Sequence, residues 1–162
     1  MLRLSKLSDY ALVVMEYVSS HPTEALHTTR ELATATHLPA TTVVKLLKLL
    51  LDADLLTSQR GMNGGYALSR SSSQISIAAI IEAVEGKMGF TECETSPGRC
   101  DLEGRCRIQV NTRIISQMIR QTLSAISLAD LRALRGVMVK SPSRTSLITS
   151  ITMRPGAVQC QP

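Results

Sequence analysis

Three of the four cysteines in the sequence lie within one short segment. Cys93, Cys100 and Cys106 form a C-x6-C-x5-C series with proline and glycine between them, so residues 92–107 are predicted to be a loop that can turn its thiols inward. Cysteine sulfur is a ligand that zinc, Cu(I) and iron–sulfur iron prefer. The spacing matches neither the CxxC pairs of a zinc ribbon nor the ferredoxin runs. By itself it therefore leaves a metal or cluster site and merely reactive or incidental cysteines as equal alternatives.

The composition predicts a helical protein with an aliphatic core. The chain has 162 residues, of which 44% are apolar but only 2% aromatic. This length suits one domain with an appendage and is enough to bury a substantial core. No apolar run approaches the roughly 18 residues of a membrane span, and Asp9 and Glu16 interrupt the stretch that a signal peptide would need. We therefore expect a cytoplasmic protein without membrane contact, whose thiols stay reduced.

The net charge of +5 permits a polyanionic partner, but the charge is not concentrated in one segment. Basic residues outnumber acidic ones by seven to six in residues 1–70 and by eleven to seven in residues 71–162. A basic patch, rather than a basic total, is the usual footprint of a nucleic-acid surface. The bulk charge alone therefore says little about nucleic-acid binding.

Three helices are predicted near the N-terminus. The first runs from Ser8 to Ser19. The second, which ends near residue 36, opens with a capping box in which Thr28 and Glu31 satisfy each other's backbone donors. A tight turn at His37 follows, at a point where helix-turn-helix units often place Gly. The third helix is predicted to run from about Ala40 to Asp52.

The third helix divides into two faces. Its apolar residues fall at i, i+3, i+4 and i+7 and are predicted to be core: Val43, Leu46, Leu47 and Leu50. The other face supplies four candidate DNA contacts: Thr41, Thr42, Lys45 and Lys48. Hydroxyl side chains near a helix N-terminus suit base edges, lysines suit phosphates, and residues 32–51 contain no acidic residue. For such a helix taken alone, a solvated face is the alternative.

Two short strands are predicted directly after this helix, at residues 55–58 and 66–69, joined by a glycine-rich segment. A tight helix pair followed by a β-hairpin makes a winged helix-turn-helix, which favours DNA binding over a solvated face. The wing adds Arg60, Asn63 and Gly64 as candidate DNA contacts, and Arg60 can reach a minor groove or a phosphate. The glycines alone would indicate only a tight hairpin.

The expected fold class is mainly α with a small β-wing, a winged helix-turn-helix plus a long dimerisation helix. We assign residues 1–86 to the DNA-binding domain, 87–107 to the cysteine loop, 108–135 to the dimerisation helix and a short C-terminal helix, and 136–162 to a disordered tail that contains Cys160. The long helix has an apolar stripe that includes Ile115 and Ile119. A second copy is the expected partner, since two-fold dimers suit palindromic half-sites. The alternative is packing against its own domain.

Over residues 1–135, this order of elements resembles the IscR- and NsrR-type iron–sulfur regulators (the Rrf-two family). The motifs that carry the resemblance are LSKLSDYAL at 4–12, Arg60-Gly61 and Gly64-Gly65-Tyr66 in the wing, EAVEG at 82–86, the cysteine series, and ISLADL at 126–131. The opening residues and FTEC at 90–93 are most similar to the SUF-system regulators of cluster assembly. The resemblance implies a homodimeric transcription factor, not an enzyme, with a cluster on Cys93, Cys100 and Cys106 that sets its affinity for an operator in double-stranded DNA.

The resemblance also implies a fourth cluster ligand, which this sequence lacks in one of its usual places. IscR-like members have a His three residues after the third cysteine, where this chain has Gln109. NsrR-like members use an Asp of the other subunit near the start of the first helix, the position of Asp9 here. Asp9 is therefore a candidate ligand donated across the dimer, or else it stabilises the dipole of its own helix. The first analogy implies a [2Fe–2S] cluster, which we prefer, and the second a [4Fe–4S] cluster.

The function predicted is a DNA-binding repressor that senses iron–sulfur cluster status and controls cluster-assembly genes. One alternative is a regulator of the same fold that responds to nitric oxide or to cysteine supply. Another is a zinc-stabilised interaction module. A thiol redox enzyme is least favoured, because the chain has no CxxC pair.

Overall fold

The computed structural model describes residues 4–21, 26–89, 91–96, 98, 100–102 and 104–138. Within these ranges the elements are α1 (Lys6–Ser20), α2 (Thr29–Thr36), α3 (Ala40–Asp52), β1 (Leu56–Gln59), β2 (Gly65–Leu68), a 3₁₀ turn (Ser72–Gln74), α4 (Ile77–Glu85), α5 (Glu92–Thr95), α6 (Gln109–Ala125) and α7 (Leu128–Met138). The predicted fold class, mainly α with a small β-wing, is confirmed. Among these helices, none combines the length and the apolar character of a membrane span.

Local hydrogen bonds set the ends of the first helices, and α1 begins at Lys6, two residues before the predicted start at Ser8. Ser5 caps α1 by accepting a bond from the N–H of Ser8. Thr28 and Glu31 form the predicted capping box of α2. His37 then takes up the left-handed conformation, with φ of 56°, and its N–H bonds back into α2. The chain thus turns within three residues and begins α3 at Ala40.

The hydrophobic core is built mainly by α1, α2, α3 and α4. Each helix contributes apolar side chains at helical spacing, as expected for amphipathic helices. The largest apolar side chains that are fully buried are Met15, Leu32, Leu46, Leu47, Leu50, Leu55, Ile75, Ile80 and Leu128. Because Leu128 belongs to α7, the chain returns to this core after the long helix.

The wing is an antiparallel pair displaced by one residue from its predicted bounds. Leu56 pairs with Leu68 and Gln59 pairs with Gly65, so β1 starts one residue later and β2 one residue earlier than the pattern indicates. The residue before β1, Leu55, is as fully buried as Leu56. Because both leucines are buried, the sequence pattern does not show at which of them the strand begins. The hydrogen bonds between the strands place the start at Leu56.

A buried histidine joins the wing to the helices, a contact that the sequence pattern does not indicate. The backbone of His27 pairs with that of Tyr66 in β2 through two hydrogen bonds of 2.9 Å. Its ring Nδ1 lies 2.8 Å from the Glu31 carboxylate of α2, and Nε2 lies 3.2 Å from the carbonyl oxygen of His21 after α1. The contact with His27 holds the pKa of Glu31 below its usual range. His27 thereby connects β2 to the helix-turn-helix unit.

The long helix α6 is held against the N-terminal helices through α4. Arg120 of α6 donates two hydrogen bonds, of 2.7 and 3.1 Å, to the carboxylate of Glu82 in α4. Beyond α6, the backbone of residues 126–128 pairs with that of residues 75–77 through bonds of 2.9 and 2.8 Å. These contacts fix the direction in which α6 leaves the domain.

The C-terminal helix α7 ends later than predicted. Ser127 and Asp130 cap it reciprocally, with the Asp130 carboxylate accepting from both the N–H and the hydroxyl of Ser127. The helix continues to Met138, three residues past its expected end. The rest of the predicted tail, from residue 139 onward and including Cys160, lies outside the described residues.

Candidate nucleic-acid interface and cysteine loop

The outward face of α3 carries the four predicted DNA contacts. Thr41, Lys45 and Lys48 are exposed, and Thr42 is half-buried. The four apolar residues predicted for the core face are buried: Val43, Leu46, Leu47 and Leu50. The predicted division of α3 into a core face and a free face is therefore confirmed. Contact between the free face and DNA stays a prediction.

The wing exposes Arg60 and Asn63, whereas Gly64 has a structural role. The N–H of Gly64 donates to the carbonyl oxygen of Gly61 at 3.0 Å. A Cβ atom at Gly64 would collide with the carbonyl oxygen of Gln59, so this turn requires glycine. The geometry of the turn is enough to explain Gly64, and its contact with DNA stays a prediction.

Two exposed apolar side chains on α3 and the wing were not among the predicted site residues. Val44 in α3 is 55% exposed, and Met62 in the wing is fully exposed. Val44 lies outside the i, i+3, i+4, i+7 series of core positions, so the sequence did contain a signal that its side chain is free. Both add apolar contact area to the surface predicted to meet DNA.

The three thiols of the cysteine loop are free and differ in burial. Cys93 is buried at 9% exposure, while Cys100 and Cys106 are half-buried. In the part of the chain that the structure describes, no three His, Cys, Asp or Glu side chains are grouped closely enough to hold a metal ion. The donor chemistry fits a soft metal or cluster, since all three are thiols. Gathering them around one centre would require the loop to rearrange, as is common where binding completes a site.

The cysteine loop begins with a helical turn, α5, where the sequence was predicted to be open loop. The carbonyl oxygen of Thr91 accepts from the N–H of Glu94 at 3.0 Å, and the N–H of Thr91 donates to the Glu94 carboxylate at 3.3 Å. The first bond closes the helical turn, and the second is one half of a capping box, in which the Glu94 carboxylate satisfies the free N–H of Thr91 and favours a helix here. The hydroxyl of Thr91 also lies 3.2 Å from Sγ of Cys93. The prediction of a loop throughout residues 92–107 is wrong for this turn.

Glu94 ties the cysteine loop to the long helix. Its carboxylate accepts a hydrogen bond of 2.5 Å from the hydroxyl of Ser116 in α6. One turn before Ser116, Thr112 is buried, so this face of α6 is turned toward the protein. Cys93 is adjacent to Glu94 in α5, so the segment that bears the first thiol is hydrogen-bonded to α6 through Glu94.

The two positions considered for a fourth cluster ligand lie on different helices. Asp9 is exposed in the first turn of α1, where a carboxylate also favours the helix dipole. Gln109 is the first residue of α6, and its N–H donates to the carbonyl oxygen of Cys106 at 3.3 Å. Within the described ranges of one chain, Asp9 does not belong to a metal-holding group. Its role as a ligand depends on a second subunit and stays a prediction.

The start of α1, which carries Asp9, is fastened to the end of α4 by Glu85. The Glu85 carboxylate accepts from the backbone N–H of Ser5 at 3.0 Å and from the hydroxyl of Ser8 at 2.6 Å. Hydrogen bonds from Ser5 and then Ser8 hold the pKa of Glu85 below its usual range. This explains the second glutamate of the EAVEG motif, which joins α1 to α4 just before the cysteine loop.

Replacing Glu85 with Ala is expected to destabilise the protein by about 1 kcal/mol at neutral pH, since two partly exposed hydrogen bonds to a carboxylate are removed. The folded-state pKa of Glu85 is lowered, so its contribution is present above the unfolded-state pKa and disappears as the pH falls through the folded-state pKa. Thermal unfolding between about pH 3 and pH 7 measures both effects. Glu85→Gln is the control, because it keeps an acceptor but cannot titrate. An unchanged melting temperature for Glu85→Ala at pH 7 would contradict this role.

The chain is similar to known transcription regulators over most of its length. A family model named Rrf2, described as an iron-dependent transcriptional regulator, matches residues 4–133. The HTH-type transcriptional regulator IscR of Sodalis glossinidius is 32% identical over 130 residues, which cover 80% of this chain and 78% of that protein. IscR of Serratia proteamaculans is 29% identical over 138 residues, which cover 85% of this chain and 84% of that protein.

Solved structures of two regulators share the fold. CymR, the global cysteine regulator of B. subtilis, gives a TM-score of 0.66 at 25% identity and covers 83% of this chain and 98% of its own. An IscR from T. potens gives a TM-score of 0.62 at 23% identity and covers 88% and 94%, respectively. The second likeness concerns the fold alone. Together these matches confirm the winged helix-turn-helix architecture.

Proposed function

Because the chain belongs to the Rrf2 family of transcriptional regulators, we propose that it binds an operator in duplex DNA as a homodimer and senses iron–sulfur cluster status. We further propose that it represses genes of cluster assembly. As a transcription regulator it is not an enzyme. The observation that carries DNA binding is the free face of α3, where Thr41, Lys45 and Lys48 are exposed on the side opposite the core. A helix of this kind suits the major groove, with hydroxyl groups at base edges and ammonium groups at phosphates.

The cluster is proposed to be held by Cys93, Cys100 and Cys106, with Asp9 from the other subunit as the fourth ligand. The support is the thiol donor set and the similarity to relatives named IscR. When bound, an iron–sulfur cluster supplies a redox-active centre that oxidants can destroy. We prefer a [2Fe–2S] cluster, although three thiolates and a carboxylate also suit [4Fe–4S].

A series of side-chain contacts links the cysteine loop to the start of α1. The side chains of Glu94, Arg120 and Glu85 connect α5 to α6, α6 to α4, and α4 to α1, respectively. We propose that a change in the position of Cys93 is passed along these contacts to the start of α1. In a dimer, a change in the relative position of the subunits alters the spacing between the two α3 helices.

A cysteine-responsive regulator is the second candidate. The observation in its favour is the likeness to CymR, whose solved structure is that of the global cysteine regulator of B. subtilis. A response to nitric oxide fits the same fold and the same cluster. A zinc-stabilised form of the cysteine loop is distinguished from both by the metal that the purified protein contains.

Replacing Lys45 and Arg60 together with Ala is expected to weaken operator binding by at least tenfold. If Lys45 contacts a base, its removal costs about 1–3 kcal/mol, and removing one bond to a phosphate reduces the magnitude of the negative slope of log affinity against log salt by about one. Binding is measured by fluorescence anisotropy at several salt concentrations, on a duplex selected from a random library with the wild-type protein. Lys87→Ala, an exposed lysine after α4, is the control and is expected to bind normally. Wild-type affinity in the double variant would overturn the proposed DNA surface.

A further inference from the structure

One apolar side chain interrupts the polar free face of α3. Val44 is 55% exposed and lies one turn after the start of the helix, between Thr41 and Lys48 along the same face. The other aliphatic residues of α3 from 43 to 50 are all buried or half-buried. Val44 therefore makes little contribution to the core of its own chain.

Exposure of one valine is not by itself unusual, because single apolar residues are common on protein surfaces. The position of Val44 is informative for two reasons. A β-branched residue is a poor helix former, so an exposed valine gives α3 no local benefit. It also lies in the first half of the helix, the part of a recognition helix that approaches base edges.

The chemistry of the major groove supplies a partner for this side chain. The C5-methyl group of thymine is the apolar feature that a base pair presents there, whereas the other groups on the base edges are hydrogen-bond donors and acceptors. Valine can neither donate nor accept a hydrogen bond. On a face whose neighbours are a threonine and two lysines, Val44 is suited to distinguish thymine from cytosine by contact with the methyl group.

We propose that Val44 is a specificity-determining residue, which contacts the C5-methyl group of a thymine at one position of each operator half-site. The inference rests on the proposed function, because it requires α3 to enter the major groove of duplex DNA. Duplex DNA is favoured over a protein partner by charge. Lys45 and Lys48 flank Val44, and residues 32–51 contain no acidic side chain, which complements phosphate.

The test removes the methyl group from the DNA and the side chain from the protein in turn. A duplex is first selected from a random library by the wild-type protein, and each thymine of a half-site is then replaced singly by deoxyuridine, which lacks only the C5-methyl group. At one thymine position, we expect deoxyuridine to weaken wild-type binding about fourfold per half-site, as the burial of one methyl group predicts. Val44→Ala is expected to bind thymine and deoxyuridine equally at that position.

Matched variants separate failure of this inference from failure of the proposed function. Val13→Ala, an exposed valine in α1, is expected to keep the wild-type response to deoxyuridine. If the wild-type protein selects no duplex, the proposed DNA binding itself fails. If a duplex is selected but no deoxyuridine substitution weakens wild-type binding, or if Val44→Ala keeps the same sensitivity, Val44 does not read a thymine. The deoxyuridine series on the wild-type protein needs no variant to fold, so the inference remains testable on its own.

Discussion

Glutamate substitution of both Ile114 and Met118 is expected to convert the protein from a dimer into a monomer at micromolar concentration. These side chains are 52% and 57% exposed in the isolated chain. With Val110, which is 65% exposed, they recur every four residues and form an apolar stripe along α6. In the proposed dimer the stripe forms the seam, where each unpaired buried glutamate would cost about 3–5 kcal/mol.

The opposite face of α6 is not available to a partner, because the chain already uses it. Thr112 is buried, the hydroxyl of Ser116 bonds to the cysteine loop, and Leu123 packs against the core of the DNA-binding domain. Ile119, which the sequence pattern placed in the seam together with Ile115, is half-buried within its own chain. Ile115 is 41% exposed and remains at the edge of the stripe.

Sedimentation velocity measures the oligomeric state directly. Ser124→Glu is the matched control, since Ser124 is exposed on α6 but lies outside the stripe, and this variant is expected to remain dimeric. Circular dichroism establishes that the double variant is folded. A dimeric double variant would show that the dimer interface lies elsewhere. A monomeric wild-type protein would contradict the proposal of a dimer.

Replacing Cys93, Cys100 or Cys106 singly with Ser is expected to abolish the cluster. The wild-type protein purified without oxygen should be brown, absorb between about 300 and 450 nm, and contain iron and sulfide. The cysteine loop provides three thiolate ligands, and the loss of any one leaves too few to hold a cluster. Each serine variant should therefore lose nearly all of the visible absorbance and the bound iron. Cys160→Ser is the control and should keep the wild-type spectrum, because Cys160 lies far from the other three in sequence.

The same spectra decide between the alternative functions. A colourless wild-type protein that contains zinc would indicate that the cysteines hold a structural zinc ion and not a cluster. A colourless protein without metal would favour the cysteine-responsive candidate. In the same series, Asp9→Ala is expected to retain colour but to lose it faster in air. An unchanged spectrum and an unchanged cluster lifetime would show that Asp9 is not a ligand and only stabilises the dipole of α1.

The helix-turn-helix unit could be predicted from the amino-acid sequence, because the signals that form it are local. The capping box of Thr28 and Glu31, the left-handed turn at His37 and the bounds of α3 at Ala40 and Asp52 all agree with the sequence-based prediction. The division of α3 into a buried and a free face also follows from spacing alone. Each of these features depends on residues within about one or two helical turns of one another.

The free side of α6, by contrast, is set by tertiary packing and could not be predicted from spacing. The sequence shows apolar residues around much of this helix, and their pattern cannot tell whether Leu123 or Met118 meets the chain's own core. Contacts with α4 and with the cysteine loop, made by Arg120 and Ser116, set the rotation of α6 and leave Met118 exposed. The pairing of His27 with the wing likewise depends on residues far apart in the chain. Such contacts form only when distant segments pack together, so no local pattern records them.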